Sequence, residues 1–287
     1  MPTSESQIRA LIRLLSDEDE RIVKTITGKL IDMGSSAVPL LQEAEVEDPE
    51  LGDRVSTILE EIRGSRLEQE LASLVAQGGD KVDLEGGAFL MARYAYPDLD
   101  QLQWMRYLDR MAADVRACIG LRASGEETVK ILGRYLFTEL GYSGNTRNYY
   151  EPDNSFLNRV LERRTGIPIS LSTIYLLIGQ RLGLPVVGIG MPGHFLVKYD
   201  SERYKIFIDC FNGGTLLTER NCLRFLTEAG YGFDDRYLQQ SSNRAILIRT
   251  VKNLVAIYGK LDEPLKKARL IRFMSILEGQ SPEEELA

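Results

Sequence analysis

Across residues 186–210 the hydrophobic pattern of this chain changes period, and that change limits what it can fold into. On either side, apolar residues recur every three or four positions, the spacing of helices. Within it, VVGIGMPGHFLVKY and YKIFIDC alternate and are rich in β-branched and aromatic residues, which suits strands. The polar cluster Asp200–Ser201–Glu202–Arg203 between the two runs suits a hairpin. A short antiparallel hairpin inside a helical chain implies an α+β fold. It is expected to be predominantly helical, with a small antiparallel sheet flanked by helical segments at both ends.

The helical flanks carry their own punctuation. Ile8, Leu11, Ile12 and Leu15 form a one-sided face, and the turn Ser16–Asp17–Glu18–Asp19 can cap a helix bearing Ile22, Val23, Ile26 and Leu30. Gly34 is a stop and Pro39 suits a first turn. The string LLSDEDERIVKTITGKLIDMGSSAVPLLQEA resembles a HEAT-type helix pair, so residues 1–64 are expected to be a HEAT-like segment that stacks on a neighbour, with an unrelated helical cap as the alternative. Residues 51–62 read as one helix and 65–81 as a helical linker. Residues 82–240 form the central domain, 241–280 a helix pair resembling a tetratricopeptide unit and broken near Leu261–Pro264, and 281–287 a polar tail.

Composition excludes several classes. No apolar run approaches the ~20 residues a membrane span needs, and the N-terminus lacks a signal-like basic and apolar block. A net charge of −7 argues against nucleic acid as partner. The basic groups Arg159–Arg163–Arg164 and Lys266–Lys267–Arg269 read as solvated helix faces. Three cysteines without C-x-x-C spacing point to a reducing compartment, hence a cytoplasmic setting. Cys118, sharing a helix face with Val115, and Cys210 are expected to be buried. With one histidine and no P-loop, G-x-G-x-x-G or metal-ligand cluster, neither cofactor nor metal is expected.

That histidine, His194, begins the first strand. A turn centred between Ser201 and Glu202 would put it directly opposite Asp209, and Lys198 opposite Lys205. A carboxylate beside an imidazole fixes its tautomer and stabilises its charged form.

The string LGRYLFTELGYSGNTRNYYEPDNSFLNRVLERRTGIPISLSTIYLLIGQRLGLPVVGIGMPGHFLVKY, followed by FIDCFNGGTLL, resembles the SirB-type branch of the transglutaminase-like superfamily over residues 82–217. The resemblance implies a papain-like α+β core in which a Cys at a helix start, a His on a strand and an Asp on the next strand act in that order. His194 and Asp209 occupy the last two positions. Aligning Gly166 and Leu182–Gly183–Leu184–Pro185 places Pro168 where the nucleophilic Cys would stand, and proline cannot attack a carbonyl.

The nearest hydroxyls are Ser170 and Ser172. Ser170 reads either as a displaced nucleophile served by the positive helix end or as an N-cap. Tyr150, Asn154 and Ser155 lie in the most family-like stretch. Asn154 and Ser155 read as helix caps or as part of a loop lining the His194 pocket. Two functions follow: a non-catalytic regulatory or scaffold module binding a peptide or protein partner, or a hydrolase or acyltransferase on amide or ester bonds using His194, Asp209 and Ser170.

Overall fold

A computed structural model describes residues 5–232 and 234–279, so the polar tail expected at 281–287 lies outside the described residues. The chain divides after Glu70 into two compact units.

The first unit is built from α1 (Glu5–Arg13), α2 (Glu20–Met33), α3 (Val38–Glu47) and the start of α4 (Gly52–Gly78). The caps are local. The Asp19 carboxylate accepts the Arg21 N–H at 2.9 Å, satisfying a donor that the helix start leaves free. Gly34 ends α2 with φ +57°, open to glycine without strain. Ile8, Ile12, Leu15, Val23, Ile26, Leu30, Leu41, Val55 and Ile58 make one apolar cluster. The stretches 51–62 and 65–81 belong almost entirely to one helix, because α4 runs unbroken for 27 residues through Gly64. A glycine inside a helix costs only about 1 kcal/mol relative to alanine, and no proline or competing cap stands nearby to end it.

The second unit opens with α5 (Leu84–Ala95), α6 (Gln101–Cys118) and α7 (Gly125–Gly133), the last running into a π-helical turn, Arg134–Glu139. Asp83, Asp100 and a Ser124–Glu127 capping box start the three helices. Next come β1 (Ser143–Gly144), α8 (Leu157–Arg163) and β2 (Thr165–Gly166), with β1 and β2 paired in parallel. Helix α9 (Pro168–Arg181) is buried at every position from Pro168 to Gly179. A helix apolar on all sides belongs at the centre, and α9 packs on the sheet and against α6 and α8.

The sheet comprises β3 (Val186–Met191), β4 (His194–Asp200), β5 (Lys205–Asp209), β6 (Thr215–Leu217) and β7 (Gln240–Ser241), in the order β6-β5-β4-β3-β7. All its pairings are antiparallel. Helix α10 (Glu219–Glu228) follows β6, and the chain closes on α11 (Asn243–Lys260) and α12 (Pro264–Glu278). α11 packs against α5, where a Cβ on Gly87 would come within 2.5 Å of Leu247. Among the described residues no helix is long and apolar enough to cross a membrane.

The hairpin register differs from the expected one by two residues. Val197 faces Ile208, Lys198 faces Phe207 and Asp200 faces Lys205, with Glu202–Arg203 at the tip. The Ser201 N–H donates to the Tyr204 carbonyl at 3.1 Å and the Ser201 side chain bonds the same residue, which sets the turn one residue later. The shift also removes a like-charge cross-strand pair. Asp200 instead receives both amines, Lys198 at 2.8 Å and Lys205 at 3.2 Å.

Three further expectations are corrected. Cys118 is exposed, because the buried stripe Leu108, Met111, Ala112, Val115 continues to Ile119 and leaves Cys118 on the outer side of the last turn. Arg159 and Arg163 are not a solvated face. Arg159 holds Asp153 at 3.0 Å, and Arg163 grips Glu151 through two bonds of 2.7 Å. Arg269 is also buried, at 5% exposure.

Candidate functional site

His194 is the first residue of β4, immediately after the Pro192–Gly193 turn, where Gly193 takes φ +71°. Asp209 is the last residue of β5. The shifted register leaves them diagonal rather than opposite. A two-residue shift preserves the face on which side chains point, and diagonal neighbours are within reach of long side chains. His194 Nε2 lies 2.9 Å from Asp209 Oδ2, with both side chains at or below 12% exposure. The carboxylate sits off the line of the ring N–H, so this is a close polar contact rather than an aligned hydrogen bond.

The Asp209 carboxylate is held from several sides. Oδ1 accepts the backbone N–H groups of Phe211 (3.2 Å) and Asn212 (3.1 Å), and Oδ2 accepts the Asn212 carboxamide at 2.8 Å. Burial works to raise its pKa. The neighbouring imidazole and the Asn212 donors outweigh it and hold the carboxyl below the ordinary aspartate value. From behind, Arg249 Nη2 donates to the carbonyls of Met191 (2.8 Å) and His194 (2.9 Å), pinning both ends of the turn that presents the imidazole.

The pair forms the floor of a cleft of about 620 Å³ whose walls are largely aromatic. Phe211 stands edge-on to His194 at 6.3 Å between ring centres and Phe225, from α10, lies 5.7 Å away. Tyr149 packs on Phe211 at 6.1 Å and on Tyr150 at 5.3 Å. Lys260 Nζ sits 3.4 Å over the Tyr150 ring, a cation–π contact at the rim.

The opposite wall is the start of α9, where Pro168 lines the cleft as the first helical residue. Ser170 does not line it. Ser170 is not the N-cap itself but the third helical residue, where its hydroxyl accepts the N–H of the N-cap Ile167 (3.0 Å) and donates to the Asn154 carbonyl (2.6 Å). Ser172 is fully buried near the Cys210 thiol, and its hydroxyl makes no hydrogen bond. Burial pushes the Cys210 thiol far up and that of Cys222 up to about 12. Neither lines the cleft.

Asn154 and Ser155 neither cap α8 nor line the cleft. The N-cap of helix α8 is Phe156, which makes no side-chain cap bond. Asn154 is completely buried, donates to the carbonyls of Asn148 (2.7 Å) and Tyr149 (3.1 Å), and accepts from Asn145 (3.0 Å). It therefore shapes the loop that presents Tyr149 and Tyr150. Of the residues expected at the site, His194, Asp209 and Tyr150 come together, whereas Ser170, Ser172, Asn154 and Ser155 lie behind the walls.

Sequence reasoning missed Phe211, Asn212, Phe225 and Arg249. Phe211 and Asn212 directly follow Asp209 in the family-like string and could have been found there. Phe225 and Arg249 sit on amphipathic helices with no motif to flag them. Among the described residues no three His, Cys, Asp or Glu side chains gather to hold a metal ion.

The sequence pattern of the transglutaminase-like superfamily matches residues 103–252. A UPF0162 protein of Xylella fastidiosa (strain Temecula1) is 36% identical over 203 residues, covering 69% of this chain and 72% of that protein. A UPF0162 protein of Vibrio cholerae is 30% identical over 145 residues, 50% of this chain and 53% of that one. F-box only protein 21 of Homo sapiens is 34% identical over 150 residues, 48% of this chain but 22% of that protein. No solved structure matches the chain significantly.

Proposed function

Because this chain belongs to the transglutaminase-like superfamily, we propose that it uses the superfamily's cleft to bind a segment of a partner protein rather than to transfer acyl groups. One observation carries the reading. The cleft is lined by Tyr149, Tyr150, Pro168, Gly193, His194, Asp209, Phe211, Asn212 and Phe225, a set without a serine, threonine, cysteine or lysine to act as nucleophile. Aromatic walls with a few fixed polar groups suit recognition of a peptide. The shared segment makes up only 22% of human F-box only protein 21, which fits a module carried within larger proteins. The helical stretches before and after the central domain, with the boundaries given above, serve as further contact surfaces in this reading.

Hydrolysis is the second reading, and the 2.9 Å His194–Asp209 contact favours it. It requires Ser170 to leave two buried hydrogen bonds. A screen of peptide, ester and amide substrates separates the two, run beside selection of binding peptides from a displayed library. The binding reading expects selected peptides to shift the His194 ring resonances with no turnover. Turnover abolished in Ser170→Ala would overturn it.

A further inference from the structure

The floor of the cleft holds one polar atom that nothing in the described chain answers. His194 Nε2 lies 2.9 Å from Asp209 Oδ2 and is closed off from solvent. A ring nitrogen this near a carboxylate oxygen carries its proton, because two lone pairs would repel each other. In the neutral imidazole that proton is the only one, so Nδ1 is a bare acceptor. Among the described residues Nδ1 has no hydrogen-bond partner, and unlike Nε2 it is not sealed in. The ring keeps 12% of its surface exposed and lines the cleft, so the free lone pair opens there.

The surrounding groups leave that acceptor unfilled. Asp209 is itself an acceptor, met by two backbone N–H groups and by the Asn212 carboxamide. Arg249 is turned to the Met191 and His194 carbonyls, and Lys260 rests over the Tyr150 ring. Tyr149 and Tyr150 pack on Phe211 and on each other. On the opposite wall stands Pro168, which has neither a backbone N–H nor a side-chain donor. A cysteine or serine there would carry an S–H or O–H. The proline that withholds an attacking atom thus withholds a proton donor as well.

We propose that the bound segment supplies the missing donor, a main-chain amide N–H given to His194 Nδ1. This rests on the reading of the cleft as a peptide site. An apolar side chain seated among Phe211, Phe225 and Tyr149 brings its own N–H to the floor between them. An N–H taken out of water needs a partner, so the acceptor discriminates against ligands that offer no donor at this place. The Asp209 charge beside Nε2 strengthens the acceptor by polarising the ring toward Nδ1.

The test uses three probes on the full chain. The first is the acetylated, amidated tripeptide alanyl-phenylalanyl-alanine. The second is its ester with phenyllactate in place of phenylalanine, which exchanges the proposed N–H for an oxygen. The third, with lactate in place of the last alanine, weakens a carbonyl equally and leaves that N–H intact. Affinity is read from the ring resonances of His194, the single histidine. The free protein should show the tautomer protonated on Nε2. The amide should bind about fivefold or more tighter than the phenyllactate ester and within about twofold of the control ester. Its binding should move the Nδ1 resonance more than that of the phenyllactate ester does. His194→Phe, which keeps a ring, should bring the amide and the phenyllactate ester within about twofold of each other.

Should His194→Phe fail to fold, acidification of the wild type takes its place. Protonation turns Nδ1 into a donor, so the preference for the amide should vanish below the measured midpoint of the His194 titration. The nearby groups hold their charge over that range: Asp209 is ionised, the Tyr149 phenol and the Cys222 thiol, both pushed up by burial, are neutral, and Arg249 is a cation. Equal affinity for the amide and both esters overturns the hydrogen bond and leaves the peptide cleft standing. A free protein with its ring proton on Nδ1 overturns it too. A loss confined to the control ester overturns the choice of N–H. No binding of any probe at millimolar concentration overturns both the bond and the peptide reading.

Discussion

The two walls of the cleft are finished to different standards. On the hairpin wall, Asp209 meets an imidazole, two backbone N–H groups and a carboxamide. On the helix wall, a proline occupies the position from which a nucleophile would attack, and the nearest hydroxyl is tied into the backbone behind it. The polar contacts of the cleft are therefore concentrated on one wall. A pair that orients hydrogen bonds is useful for holding a ligand even where no covalent step follows.

The most direct way to break the contrast is to give the helix wall a thiol. In Pro168→Cys the new residue stands at the positive end of α9 in the same cleft as His194, both of which favour a thiolate. It is expected to react with iodoacetamide at pH 7 at least about tenfold faster than the exposed Cys118, read by peptide mass mapping. A rate no higher than that of Cys118 would mean that the two walls do not converge on a common point.

Asp209→Asn should produce the next largest effect, a loss of about 2 kcal/mol in urea unfolding at neutral pH. The folded carboxyl titrates below its unfolded value, so its stabilising share is complete above the unfolded pKa of about 4 and vanishes as pH falls through the lower, folded one. The wild-type and variant curves should converge on acidification. The ring-nitrogen shifts of His194 should also change, because Asp209 favours the tautomer with its proton on Nε2.

Ser170→Ala should cost about 1–2 kcal/mol, since it strands the Ile167 N–H and the Asn154 carbonyl in the interior. Peptide binding should be unaffected, and loss of binding would move Ser170 into the cleft's working set. Phe225→Ala should leave the melting temperature nearly unchanged, as the ring is 40% exposed, and weaken peptide binding a few-fold in the same titration.

What could be read in advance divides along physical lines. Helix starts such as Asp19 and stops such as Gly34 were legible because the signal and the bond it makes lie within a turn of each other. The His194–Asp209 contact was legible for a subtler reason: alternation decides which side chains share a face, so a two-residue error in register left them neighbours. Pro168 was visible only through the family resemblance. The rest depended on distant partners. Ser170 is committed by a carbonyl sixteen positions earlier, and Arg249 looks like any polar residue of an amphipathic helix until the β3–β4 turn is placed against it.

The short β1–β2 ladder bears on how tolerance to substitution should be mapped across this chain. Gly144 faces Gly166 in it. A side chain at Gly144 would come within 2.7 Å of the Phe211 backbone oxygen, and one at Gly166 within 2.6 Å of the Ser170 hydroxyl. Phe211 is a cleft wall, and Ser170 anchors the helix that carries Pro168. A saturation scan scored on ligand capture should therefore mark both glycines as intolerant alongside His194, although neither touches the ligand. Sorting that scan by thermal stability would separate the positions that define the cleft's shape from those that contact its occupant.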